Sequence, residues 1–423
     1  MGFFRSSLKS SGGGGEDYSA TYTASVDGVL QKSSCAYMFS GQSTFNGNVI
    51  IGNNVDSTAY MFRTCNLFNQ NVVIPNSVSN CYGMFGYANS LDQNIAIPNS
   101  VTQVTQMFVN CISLNQNIQF SENIVSASTV FTNCSSLNQN IKLPSNASCD
   151  NAFSGCSSLN QNIPIPSKAT SCRNMFANCI SLNQNIQIHN NITNCSYMFS
   201  NCRALNQNIL FPNNANAYSM FESCVLLNQK ITIPANGNFY YMFANCSALN
   251  QNISIPNSQL GIVGMFSGCS SLNQNIAIPS KIVDLTRTFA RCTSLNQNIV
   301  VPNMNQYTNA TQMFEYCTAL NSNITFGNNV LNMQYALRGC TNFGKNVYVR
   351  TKDYNVTINA VGLFADCNNS IRKNLWFNSN MNAYFNRTAV NLTIVNKAIT
   401  WTAMTNGFYN TAYNVYCYYN YSS

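Results

Sequence analysis

Thiols dominate the chemistry this chain could attempt. It carries 19 cysteines and one histidine, with 12 acidic and 20 basic side chains. So many cysteines raise the prospect of disulfides, a metal centre or a redox nucleophile, and spacing decides among these. Most of them, including Cys65, Cys111, Cys134, Cys156, Cys179, Cys202 and Cys292, stand three residues after a recurring phenylalanine. A second set, Cys35, Cys81, Cys149, Cys172 and Cys195, stands four residues before it, where other copies have Val104, Ala127, Phe239, Ile262 or Leu285. Interchange with aliphatics marks a packing position. Two cysteines seven apart on a helix lie about 10 Å apart along its axis, and packed helices stand roughly 8–10 Å apart. Both distances exceed disulfide reach. Free, buried thiols acting as small hydrophobes are therefore expected, and without a CxxC pair or clustered histidines no metal is expected.

The remaining reactive types give no catalytic constellation. His189 falls where most copies have a turn proline and reads as a polar surface residue. The carboxylates are scattered, with no repeated pairing for acid/base work. The run Gly12 to Gly15 lacks the GK[ST] that would make it a phosphate loop. The reading is a non-enzymatic protein without cofactor or small-molecule substrate.

The elements that place these residues follow from the phenylalanine register. It runs through Phe39, Phe62, Phe85, Phe108, Phe131, Phe153, Phe176, Phe199, Phe221, Phe243, Phe266, Phe289 and Phe314, a period of about 23 residues that belongs to repeat architectures. Around Phe108, the residues Val104, Met107, Phe108 and Cys111 stand at i, i+3, i+4 and i+7, which predicts a two-turn helix. Ile118 and Phe120 alternate with Gln119, which predicts a strand; Pro-Asn or Pro-Ser turns follow in many copies. Leu114 and its counterparts are core. The NQN that follows, as at Asn138, Gln139 and Asn140, reads as an amide ladder that satisfies the backbone. Such a unit cannot bury its stripe alone, so units must stack. The spacing mismatch between strands and helices would curve the stack. The expected fold is an α/β solenoid, a leucine-rich-repeat-like right-handed coil of about 14–17 strand-helix units, its parallel sheet on the concave side.

Four segments divide the chain: residues 1–17 as an arm and glycine linker, 18–34 as an N-terminal β cap, 35–350 as the solenoid, and 351–423 as degenerate repeats with a C-terminal cap. Residues 18–34 read as a strand or a hairpin turning at Asp27-Gly28. The Tyr-rich end reads as a closing strand or a contact surface. Phe3, Phe4 and Arg5 are the candidate attachment contacts of the arm; Gly2 and Ser6 also fit a short myristoylation pattern. Arg338, Lys345, Arg350, Lys352, Arg372, Lys373, Arg387 and Lys397 make the C-terminal end cationic. This reads first as solubility and edge protection, then as a surface for anionic polymers; nucleic acid is not expected as a partner.

Only 8% of residues are charged while 45% are hydrophobic, and the periodicity of the apolar positions argues against disorder. No apolar run of membrane-spanning length appears. Sequons at Asn252 and Asn323 sit inside the amide ladder, where glycans would block stacking, so synthesis in a reducing cytoplasm is expected. Within the constant frame one outward strand column varies: Ile50, Val73, Gln119, Lys142, Gln187, Leu210, Thr232, Val300, Thr325 and Tyr348, with Pro164 and Ser254 among its other members. A variable column on a fixed frame is how solenoids present a binding surface.

The motif carried by Met175-Phe176, Cys179, Leu182-Asn183-Gln184 and Ile186 resembles the BspA-like bacterial surface-protein repeats, a leucine-rich-repeat relative also found in mycoplasma lipoproteins. The resemblance covers roughly residues 35 to 350, although Ile-Pro stands where that family commonly has Trp-Asp. It implies a leucine-rich-repeat coil and adhesion or host-surface recognition. With no export signal read near Met1, the expected carrier is a phage or viral particle. There the chain would be a fibre, tail or decoration protein, made in the host cytoplasm, held to other virion proteins through residues 1–34 and meeting a bacterial surface glycan or protein. Two alternatives stand beside this: an intracellular or protist interaction scaffold, cytoplasmic or at the cell surface, and a purely structural virion part.

Overall fold

A computed structural model of the chain describes residues 21–24, 33–258, 261–350, 357–368, 371, 373–377, 382–384, 392–395 and 416–418. The arm, its Phe3, Phe4 and Arg5, and the Asp27-Gly28 turn lie outside these residues. The chain divides into two compact units, Met1–Pro212 and Asn213–Ser423.

Each coil of the first unit is built around a row of turns. Among the described residues no α-helix forms, which corrects the strand-helix unit expected from the i, i+3, i+4, i+7 stripe. The stripe is nevertheless buried: Val104, Met107, Phe108 and Cys111 are all fully inside. What differs is the backbone. Met107, Val109 and Cys111 donate their N–H groups three residues back, to Val104, Gln106 and Phe108, at 2.9–3.2 Å. Phe108 and Asn110, on alternate positions, donate instead to Val130 and Thr132 of the next coil, at 3.0 and 2.7 Å. An α-helix would use every one of these donors internally; here alternate donors join one coil to the next. Gln106 and Asn110, flanking the phenylalanine, have φ near +60°. Asn and Gly recur at the second of these places, and both tolerate left-handed backbone. A stripe of about eight residues is also shorter than an isolated helix needs, roughly 12–15.

The turn row sets a short rise. Phe39, Phe62, Phe85, Phe108 and Phe131 stack face to face at centroid distances of 5.4–5.7 Å. Packed helices would stand about 8–10 Å apart, so the mismatch that was expected to curve the coil has no counterpart within this unit. Each such aromatic pair adds about 0.5–1.5 kcal/mol beyond its area burial. The Leu91, Leu114, Leu137, Leu159, Leu182 and Leu205 file is fully buried beside it.

The amide ladder forms as the sequence implies. Asn115 N–H donates to Asp92 Oδ1, Asn138 to Asn115 Oδ1, and Asn160 to Asn138 Oδ1, each at 2.9 Å. The following glutamine donates to the same oxygen, as Gln139 Nε2 does to Asn115 Oδ1 at 3.1 Å.

Strands are fewer than expected. In the first unit β1 (Thr21–Ala24) pairs in parallel with β3 (Asn48–Ile51), and β2 (Ser33–Ser34) with β4 (Val55–Ser57). The parallel pairing of β1 is that of one more coil, not of an antiparallel hairpin. The second unit repeats the turn row, with Phe221, Phe243, Phe266, Phe289 and Phe314 stacked at 5.7–5.8 Å. Its strands are β5 (Ile299–Val301), β6 (Thr308–Asn309), β7 (Ile324–Phe326), β8 (Val330–Asn332), β9 (Asn346–Val349), β10 (Thr357–Asn359), β11 (Lys373–Phe377), β12 (Asn382–Tyr384), β13 (Leu392–Val395) and β14 (Tyr416–Tyr418). They form two parallel sheets, β14-β13-β11-β9-β7-β5 and β12-β10-β8-β6. The Tyr-rich end thus supplies the edge strand β14.

Proline accounts for most of the missing ladders, although the coils with Ser121 and His189 at the same position also form none. Gly327 N–H donates to Val301 and Arg350 N–H to Phe326, at 2.8 and 2.9 Å. Pro75, Pro98, Pro144, Pro166, Pro234, Pro256 and Pro279 occupy that donor position in other coils and have no N–H to give. There the Ile-x-Ile segment still alternates buried, exposed, buried, as at Ile141, Lys142 and Leu143, but it forms no ladder.

Candidate binding face

The cysteines from Cys35 to Cys367 form no disulfide with one another and are buried. Their thiols do more than fill space. Cys65 Sγ donates to Phe39 C=O, Cys111 to Phe85, Cys134 to Phe108 and Cys179 to Phe153, at 3.0–3.2 Å. The second unit repeats this from Cys246 to Phe221 through Cys340 to Phe314. Burial pushes Cys65 up to about 12 despite a backbone hydrogen bond, and burial likewise raises Cys111 and Cys269. Such thiols are poor nucleophiles. Among the described residues no three His, Cys, Asp or Glu side chains gather where they could hold a metal ion. No helix of these residues is long and apolar enough to cross a membrane.

All ten candidate column residues lie at the surface. Ile50, Val73, Leu210 and Val300 are 57%, 77%, 61% and 55% exposed, although the residues on both sides of Ile50, Val73 and Val300, and Ile209 beside Leu210, are buried. Gln119, Lys142, Gln187 and Thr232 are also exposed, and Thr325 and Tyr348 are half-buried.

The first unit gathers some of them into two open recesses. One, of about 630 Å³, is lined by Ile50, Val73, Pro75 and the amides of Asn48, Asn53 and Asn71. The other, of about 410 Å³, brings Lys142, Pro164 and Gln187 together with Asn140, Asn162 and His189. His189, read from sequence as an isolated surface residue, is therefore part of this recess, its Nε2 3.0 Å from Ile165 C=O. Lys142 Nζ approaches Glu122 Oε1 at 3.9 Å, an exposed pair that adds little stability.

In the second unit the parallel register sets Val300, Thr325, Tyr348 and Trp376 side by side on β5, β7, β9 and β11. Tyr348 and Trp376 stack at 6.2 Å, and Asn346 Nδ2 donates to the Tyr348 hydroxyl at 2.8 Å. Trp376 is absent from the sequence-derived column because the repeat motif has decayed by that point. Its signal is the alternation of buried Leu375 with 38%-exposed Trp376.

The turn row carries a separate aromatic surface. Tyr37 and Tyr60 stack at 4.8 Å, with Arg63 over Tyr60 and Tyr87 at 5.1 and 5.2 Å. The cationic C-terminal end is partly neutralised: Arg338 Nε pairs with Asp366 at 2.7 Å and its Nη1 with Glu315 at 3.5 Å. Lys345 and Arg350 are exposed. Lys352, Arg372, Arg387 and Lys397, and the side chain of Lys373, lie outside the described residues.

The family model for "Mycoplasma protein of unknown function, DUF285" matches residues 29–121, 75–165, 145–234, 211–277 and 237–349. No curated protein matches the chain. Among solved structures, a leucine-rich repeat protein from Bacteroides ovatus ATCC 8483 is 21% identical with a TM-score of 0.53, covering 83% of this chain and 95% of that one. A leucine rich cell surface protein from Faecalibacterium prausnitzii A2-165 is 20% identical with a TM-score of 0.42, covering 82% and 96%. The first likeness is one of fold, and that fold is the leucine-rich-repeat type.

Proposed function

The chain belongs to the DUF285 family of mycoplasma proteins and is a BspA-like leucine-rich-repeat relative, and from that premise we propose that it is a non-enzymatic binding or adhesion protein whose exposed strand column is the contact surface. The observation that carries the proposal is that the large aliphatic side chains Ile50, Val73, Leu210 and Val300 stand exposed in a column whose flanking residues are mostly buried. Folding gains nothing by exposing Val73 or Leu210, whereas a partner laid along the first unit's part of the column would bury them, and the second unit's part, with Val300, offers such a contact of its own. Adjacent recesses with amides beside aliphatic walls suit a protein or glycan surface, and repeated modest contacts add through multivalency. A right-handed coil, the rule for parallel crossovers, is part of this reading. The finer reading, in which a phage or viral particle carries the chain by residues 1–34, gains no support from the family or the similar structures. The binding proposal is independent of it.

The test is binding of the purified full chain to bacterial and animal cells and to arrayed glycans and surface proteins. Val73→Asp, Lys142→Glu and Tyr348→Ala should each weaken binding; thermal unfolding should stay as in the wild type for the first two and fall modestly for Tyr348→Ala, which loses its stack on Trp376. Wild-type binding by all three, with loss on Tyr37→Ala or Arg63→Ala, would move the surface to the turn row and overturn the proposal.

A further inference from the structure

Replacing helices with turns changes what the cysteines can reach. Thiols of the main file are engaged with phenylalanine carbonyls, as between Cys156 and Phe131 at 3.1 Å and Cys179 and Phe153 at 3.2 Å. The second file differs. Cys35 is followed one coil on by Thr58, and Cys81 by Val104, so neither has a cysteine beside it in its own column. Cys149, Cys172 and Cys195 fall in three successive coils. Cys149 Sγ lies 3.9 Å from Cys172 Sγ, and both side chains are buried. Asn151 N–H donates to Arg173 C=O at 2.9 Å and Phe153 N–H to Met175 C=O at 3.0 Å, the coil-to-coil bonds that join the coil of Cys149 to that of Cys172. Backbones so joined lie about 4.8 Å apart, inside the Cα separation of roughly 4.4–6.8 Å that a disulfide requires. Bond formation needs side-chain rotation that breaks the hydrogen bond from Cys149 Sγ to Ser171 C=O at 3.3 Å and brings the sulfurs to about 2.0 Å.

We propose that Cys149 and Cys172 are a site of oxidative modification, a thiol pair that closes to an intramolecular disulfide when it meets a small disulfide oxidant. The balance is complete with that oxidant alone. One thiol attacks the oxidant and releases one equivalent of its thiol; the other displaces the second. The Cys149–Cys172 bond forms, the oxidant's S–S bond breaks, and the two protons leave on its sulfurs. The hydrogen bond from Cys149 and burial hold the Cys172 thiol well above its ordinary range, so the reaction waits on opening of the coil and quickens as pH rises. The product ties two successive coils and restricts the unfolded chain, so the oxidised protein unfolds at a higher temperature.

The test equilibrates the full chain in mixtures of oxidised and reduced glutathione, quenches and alkylates it, and maps its peptides by mass spectrometry. A single cross-link between Cys149 and Cys172 is expected, with a fall of two in titratable thiols and a raised unfolding midpoint. Cys149→Ala and Cys172→Val use residues this column already holds at Ala127 and Val104, and both variants should lose the cross-link and the raised midpoint. The wild-type map decides the matter even if a variant folds poorly. Free thiols at an oxidising poise, a link from Cys172 to Cys195, or links scattered through the main file would overturn the proposal.

Discussion

At the scale of single residues, the fold rests on backbone sites that an L-residue occupies reluctantly. Gly83 has φ +56°, and a Cβ there would stand 2.7 Å from the ring of Tyr60 in the coil before. Gly41 has φ +85° with open space around it. Gly41→Ala should therefore cost only the left-handed penalty of about 1–2 kcal/mol. Gly83→Ala should cost more, because the ring must also move; paired denaturant titrations would show the difference. Thr129 is the converse case, a β-branched residue at φ +57° whose Oγ1 donates to Ser128 C=O at 2.6 Å. Neighbouring coils place Asn151 and Asn174 there, and Thr129→Asn should raise stability by about 1 kcal/mol as strain of that order is relieved. The thiols give a pH dependence. Burial lifts Cys65, Cys81 and Cys195 from 9.0 to about 12, so the folded state holds protons that the unfolded state releases. That stabilisation is complete below pH about 8.5 and is lost as pH rises toward 12, so the unfolding midpoint should fall steadily across the alkaline range.

The coil is the next scale, and there the sequence was legible in its side chains and misleading in its backbone. The buried Phe and Leu files and the asparagine ladder all stood in the register, because burial repeats with the coil whatever the local conformation. The helix did not form, because i, i+3, i+4, i+7 is also the spacing of successive turns whose alternate donors point to the next coil. Asn110, Asn133 and Asn178 after the phenylalanine, all at positive φ, were the available signal against a helix. The prolines were read as turn residues, but their larger effect is to remove the N–H that Gly327 and Arg350 supply. The ladder offers a test of which atom matters. Asn160 Oδ1 accepts from Asn183 N–H at 2.9 Å and from Gln184 Nε2 at 3.1 Å, and only an acceptor is required. Asp92 fills the same role, accepting from Asn115 and Gln116 at 2.9 Å. Asn160→Ala should lower stability by about 1–3 kcal/mol through a stranded donor, and Asn160→Asp by clearly less. Equal losses in thermal melts would mean that the amide's N–H₂ carries the ladder.

For the molecule as a whole, the candidate surface was legible only where the repeat is regular. Ile50, Val73, Lys142 and Gln187 follow from the register, whereas His189 and Trp376 needed coordinates because neither keeps the motif. Charge provides a whole-molecule test of the proposed face. The net charge of +8 arises from few charged residues, and Arg338 is already paired with Asp366 and Glu315. The exposed column is mainly aliphatic, amide and aromatic, and Lys142 is the charged residue among its ten candidates. Binding through that column should therefore persist when salt rises from about 0.1 M to about 1 M, a change that shortens electrostatic reach from roughly 10 to 3 Å. Binding of an anionic polymer by Lys345, Arg350 and the other basic residues would fall steeply over the same range. Measuring adhesion of the full chain across that salt series, with Val73→Asp and Tyr348→Ala beside the wild type, separates the two. Salt-resistant binding lost in the variants assigns it to the column, and salt-sensitive binding indifferent to them assigns it to the basic end.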